Sequence, residues 1–130
     1  MPLHFGMMIA ETTVAVALLR PLLAHRDTEC LAVVHLDRAF RLLRIGVHHG
    51  READRLRVPF RWLLRESLDV DAHRVLIAHN HPSGACTPSR ADKIVTRDLA
   101  QVLAHADVQL VDHLLFAGDE VVSFRALGLI

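Results

Sequence analysis

The chain has 130 residues, 15 basic and 15 acidic side chains, 10 histidines and 52% hydrophobic content, which fits one soluble compact domain and excludes a second full one. A chain of this size buries roughly two thirds of the surface its unfolded form exposes, so a hydrophobic core can hold the fold without disulfides. Cys30 and Cys86 then read as reduced thiols of a cytoplasmic protein, and zero formal net charge removes the main electrostatic argument for nucleic-acid binding.

Residues 1–6 read as a loose N-terminal segment. From Met7 to His25 the apolar positions Val14, Ala17, Leu18 and Leu22 fit one helical face, with Pro21 expected to bend or end the helix. Glu11, Thr12, Thr13 and Arg20 interrupt this stretch, so it is a packed helix and neither a membrane span nor a signal. Glu29–Asp37 and Phe40–His48 follow as an antiparallel strand pair, in which Gly46 marks a bulge or a close backbone approach. His49–Arg57 is charged and carries Gly50, which predicts an exposed loop.

Pro59 suits a first helical turn, and Phe60, Leu63, Leu64 and Leu68 give an amphipathic helix with Arg61 and Arg65 on its other side. Val75–Ala78 reads as a short buried strand. Thr87 as N-cap and Pro88 at the first helical position then start a third helix, which Ile94, Leu99, Val102 and Leu103 carry to about His105. Val108–Phe116 and Glu120–Phe124 form a hairpin broken at Ala117-Gly118-Asp119.

The stretch His79-Asn80-His81-Pro82-Ser83-Gly84-Ala85-Cys86-Thr87-Pro88-Ser89-Arg90-Ala91-Asp92 carries the chemistry. In extended backbone the period of two turns the His79 and His81 imidazoles to one face, and Ser89 and Asp92, three apart at a helix start, share a face too. Two imidazoles and a carboxylate suit zinc and leave a fourth position for water, as hydrolysis requires. Glu29, at the head of the first buried strand, is the candidate acid or base, and Ser89 a candidate donor to an oxyanion. With 10 histidines in the chain, chance supplies on the order of one H-x-H pair, so the weight lies in the Pro-Ser-Gly turn and the Ser-x-x-Asp offset.

Other candidates have plainer readings. His113 sits in an apolar strand as a hydrogen-bonded structural histidine, His48 and His49 as solvated residues beside the loop, and Cys86 as a neutral thiol. Arg51, Arg55, Arg57, Arg61 and Arg65 concentrate positive charge, but Glu52, Asp54 and Glu66 interrupt the run and favour solvated ion pairs over a phosphate track.

HNHPSG followed by T-P-S-x-x-D resembles the JAMM (JAB1/MPN+) metalloprotease signature, and within it the bacterial RadC-type domain. The likeness runs through ECLAVVHLD, Val111-Asp112-His113-Leu114 and Val122-Ser123-Phe124-Arg125, covering about Met7 to the C-terminus. It implies a single domain with a three-layer α-β-α, cytidine-deaminase-like arrangement on a curved mixed sheet. It also implies zinc on His79, His81 and Asp92, acid/base work by Glu29, water or oxyanion contact by Ser89, and a peptide or protein substrate. The alternative it keeps open is a zinc-stabilised binding module of DNA repair or mobile elements, with DNA or protein contacts through the arginines. RadC-type proteins commonly carry a helical N-terminal extension like helix-hairpin-helix modules, for which this chain has no room.

Overall fold

A computed structural model describes residues 6–50 and 58–130. Among the described residues, three helices and five strands follow one another in the order α1 (Thr12–Leu23), β1 (Cys30–Leu36), β2 (Leu42–His49), α2 (Phe60–Asp69), β3 (Arg74–Asn80), α3 (Arg90–His105), β4 (Gln109–Ala117) and β5 (Glu120–Ser123). The loose segment expected over 1–6 lies outside the described residues except for Gly6. So does the expected His49–Arg57 loop, apart from His49, which ends β2, and Gly50.

The strands form one mixed sheet in the order β2-β1-β3-β4-β5, antiparallel except for the β3–β4 pair. A parallel pair cannot be joined by a tight turn, so α3 makes the crossover between β3 and β4. The expected hairpin β4–β5 turns through Gly118, whose φ of +59° suits the first loop position of a two-residue turn.

Alternation along the strands divides the core between the two sheet faces. Ala32, Val34, Leu76, Ala78, Leu114 and Phe116 pack with Ala15, Leu19 and Leu23 of α1. Leu31, Val33, Val75 and Ile77 pack with Leu63 of α2 and Leu99 and Leu103 of α3. Among the described residues no helix is long and apolar enough to cross a membrane.

Local details depart from the sequence reading. The fully buried stripe of α1 is Ala15, Leu19 and Leu23, whereas of the expected face Val14, Leu18 and Leu22 pack half-buried on its flank and Ala17 is exposed, and Pro21 is accommodated inside the last turn. In α2 the inward position is Ser67, while Leu68 is 59% exposed. Helix α3 starts at Arg90 with Ser89 as its N-cap, in place of Thr87, because Ser89 accepts from the Asp92 N–H at 3.0 Å while the Asp92 carboxylate accepts from the Ser89 N–H at 2.9 Å.

Candidate metal centre

The antiparallel β1–β3 ladder pairs Leu31 with His79, and continuing that register sets Glu29 across from His81. Glu29 shares the strand face of Leu31, and His79 that of Ile77, so both turn toward the side covered by α2 and α3. His81 lies one residue past β3, where its N–H still bonds the Phe116 carbonyl at 2.9 Å and keeps the chain extended. The Pro82-Ser83 turn closes with the Gly84 N–H on the His81 carbonyl at 3.0 Å, and Gly84 holds a φ of +80° that side chains disfavour. That turn brings the chain back to the start of α3.

These placements bring the expected groups together. The two imidazole Nε2 atoms are 3.2 Å apart. Asp92 puts Oδ2 3.1 Å from His81 Nε2 and Oδ1 3.5 Å from His79 Nε2. Glu29, His79 and His81 each offer a ligand atom, all within 4.8 Å of one another. Glu29 therefore stands beside the imidazoles and not apart from them, and it is 5% exposed. Ser89 is at the helix start as expected, with its hydroxyl oxygen engaged by the cap.

Electrostatics follow from this crowding. Burial lowers the His79 pKa from its ordinary value, with the His81 charge adding to the effect, against the opposing pull of Asp92. Burial alone raises the Asp92 carboxyl, but the adjoining His79 imidazole, together with the Ser89 N–H and hydroxyl, holds it well below the usual carboxylate range. Burial also depresses His113, assisted by the His79 charge.

The donor set fits a divalent transition ion. His81 Nδ1 is 2.7 Å from the Ala85 carbonyl, which can only accept, so a neutral His81 carries its proton there and turns a bare Nε2 inward. That lone pair meets a second imidazole and carboxylate oxygens, an electron-rich set that a cation resolves.

Three further residues support the site. Asn80 points to the opposite face from His79, where its Oδ1 accepts from Cys30 N–H at 2.6 Å and its Nδ2 donates to the Thr28 carbonyl at 3.0 Å. It thereby clamps the two residues flanking Glu29, and an amide between two strand-end histidines is the sequence signal for it. His113 is a hydrogen-bonded buried histidine, and its partners are His79, at 2.6 Å from Nδ1 to Nε2, and Thr96, at 2.6 Å. Nothing local in the sequence marks Thr96, which lies mid-helix.

Cys86 is exposed and Cys30 buried, both as free thiols. Cys30 Sγ is 3.3 Å from His49 Nδ1, while the His48 ring lies 5.6 Å from that of Trp62. Arg61 and Arg65 are exposed on α2, and Arg51, Arg55 and Arg57 lie outside the described residues.

Comparison with known proteins agrees with the geometry. Residues 9–129 match the family described as the RadC-like JAB domain. The UPF0758 protein BAV2405 of Bordetella avium is 40% identical over 108 residues, covering 83% of this chain and 48% of that protein. The UPF0758 protein Bpet3149 of Bordetella petrii is 43% identical over 101 residues, covering 78% of this chain and 44% of that protein. The chain thus spans about half the length of the curated relatives it matches. With the match running through both strands and the helix that bring Glu29, His79, His81 and Asp92 together, the chain belongs to the RadC-like JAB domain family.

Proposed function

We infer that the chain is a zinc-dependent metallohydrolase acting on an amide, peptide or isopeptide bond. The observation that supports this reading is the convergence of Glu29, His79 and His81 ligand atoms within 4.8 Å, with the Asp92 carboxylate against both imidazoles. His79, His81 and Asp92 would hold the ion. When bound, zinc supplies Lewis acidity, lowering the pKa of a water toward neutrality and polarising a substrate carbonyl.

The remaining work falls to side chains of this chain. Glu29 takes the proton of the attacking water and passes it to the leaving nitrogen, a transfer its seat beside the imidazoles favours. Ser89 spends a lone pair on the Asp92 N–H, and its O–H, which helps hold the Asp92 carboxylate, would turn to donate toward charge developing on the substrate oxygen. A peptide or protein is the substrate class this chemistry suits. The α1 layer on one sheet face and α2 with α3 on the other support reading the layering as cytidine-deaminase-like. Two free thiols accord with a cytoplasmic setting.

The test joins metal analysis to turnover. Freshly purified protein should carry about one zinc per chain, and His81→Ala should lose it. The zinc-loaded protein should cleave members of a peptide and isopeptide library, and Glu29→Gln should abolish cleavage while leaving zinc bound. Full zinc occupancy without cleavage would overturn the hydrolase reading. Salt-titrated DNA binding that depends on Arg61 and Arg65 would then favour a zinc-stabilised binding module.

A further inference from the structure

We propose that Thr96 and His113 are positioning residues that fix which nitrogen of His79 faces the metal centre, through a hydrogen-bond chain that starts at His79 and ends on the backbone of Asp92. The proposal rests on the reading of His79 and Asp92 as ligands, and it adds a second tier of residues behind them.

The direction of every proton follows from one group that cannot donate. The Thr96 hydroxyl lies 2.7 Å from the backbone carbonyl of Asp92, one helical turn earlier, and its single proton goes to that oxygen. Thr96 Oγ1 is also 2.6 Å from His113 Nδ1, so the proton of that contact must come from the imidazole. A neutral His113 with its proton on Nδ1 has a bare Nε2, and that atom is 2.6 Å from His79 Nδ1. His79 must therefore carry its proton on Nδ1. Its Nε2 is left bare, and Nε2 is the atom that faces His81 and Asp92 at 3.2 and 3.5 Å.

Burial leaves little room for another arrangement. His79 and His113 are 0% exposed and Thr96 is 1% exposed, so water does not offer a substitute partner. The Phe124 ring stacks on His113 at 4.1 Å between centroids and 24° between planes, which restrains rotation of the imidazole away from His79 and Thr96. Asp112 anchors the same corner by accepting from the N–H groups of His113 at 2.7 Å and Arg125 at 3.0 Å.

A break in β4 brings His113 into place. Val75 pairs with Leu110 but Leu76 pairs with Asp112, so Val111 is skipped and strand parity reverses. Leu110 packs on the α3 side, and three residues later His113 points to that side too, against Thr96.

Removing the Thr96 hydroxyl leaves the His113 Nδ1–H without an acceptor. The proton is then better placed on Nε2, directed at His79 Nδ1, which in turn drives the His79 proton onto Nε2, the ligand atom. Two probes read this separately. In metal-free wild type, long-range 1H–15N NMR should find His79 as the Nδ1–H tautomer, and Thr96→Val should convert it to Nε2–H. Zinc affinity by chelator competition should fall about 10- to 100-fold in Thr96→Val, in the range typical of partners behind metal-bound histidines. Thr96→Ser, which restores the hydroxyl, should recover both readouts.

A purely structural role predicts a different pattern: Thr96→Val lowers stability but leaves the His79 tautomer and the zinc affinity unchanged, and that result overturns the proposal. If Thr96→Val does not fold, an Nε2–H His79 in the wild type overturns it and an Nδ1–H His79 supports it. Failure of wild type to bind zinc would sink the metal reading, while the tautomer measurement still decides the hydrogen-bond chain.

Discussion

Ser89 bonds Asp92 twice, once through its hydroxyl oxygen and once through its N–H, so the residue that starts α3 also steadies a candidate metal ligand. Ser89→Ala removes the cap and should lower the unfolding free energy by about 1 kcal/mol in urea titrations, whereas Ser89→Thr should stay near wild type. Equal stability of both variants would show that the cap contributes nothing. The offset of three between Ser89 and Asp92 was legible in the sequence because helix geometry alone sets it, and so was the common face of His79 and His81, which strand geometry sets. The hydrogen-bond chain from His79 through His113 to Thr96 was not legible. Their meeting depends on the skipped Val111 and on the seating of α3, neither of which local pattern encodes.

Between elements, α2 meets β2 at Gly46, where a ring lies against bare backbone. A Cβ at Gly46 would come within 2.9 Å of Trp62 Cζ2, so the indole ring occupies the space a side chain would need. Of the two readings open for this glycine, a bulge or a close approach, contact with Trp62 selects the second, and only the folded chain brings that ring there. Gly46→Ala should cost about 1–3 kcal/mol by overpacking. Trp62→Phe withdraws the clashing ring atoms, so in that background the same change should cost much less, and a double-mutant cycle should show coupling. Costs that add within about 0.5 kcal/mol would refute the packing argument. The phase of α1 was missed for a related reason. TTVAVALLRPLL is apolar on most of its circumference, so periodicity does not choose a face and the sheet does, burying Ala15, Leu19 and Leu23. In α2, Ser67 displaces Leu68 from the interior because His35, buried on β1, takes its hydroxyl as a partner at 3.0 Å.

At the scale of the whole molecule, three histidines among the described residues, His35, His79 and His113, are 0% exposed. His35 lies away from the candidate centre and isolates the consequence for stability. Burial lowers its pKa from 6.5 to about 4, with Glu66 on α2 opposing and Arg44 on β2 assisting. Because the unfolded chain then binds a proton that the folded chain refuses, stability is full above pH 6.5 and declines as the pH falls toward 4. His35→Asn keeps an amide near the position of Nδ1 for Ser67 but has nothing to titrate. Any cavity it leaves is a constant penalty, whereas the protonation effect changes with pH, so the comparison should be made between two pH values. Between pH 8 and pH 4.5 the wild type should lose about 2.5 kcal/mol more unfolding free energy than His35→Asn. The contributions of His79 and His113 are common to both proteins and cancel in that difference. Urea unfolding curves that shift in parallel with pH for the two proteins would mean that His35 is protonated as readily in the fold as outside it, and that β1 and α2 tolerate a charge where they meet.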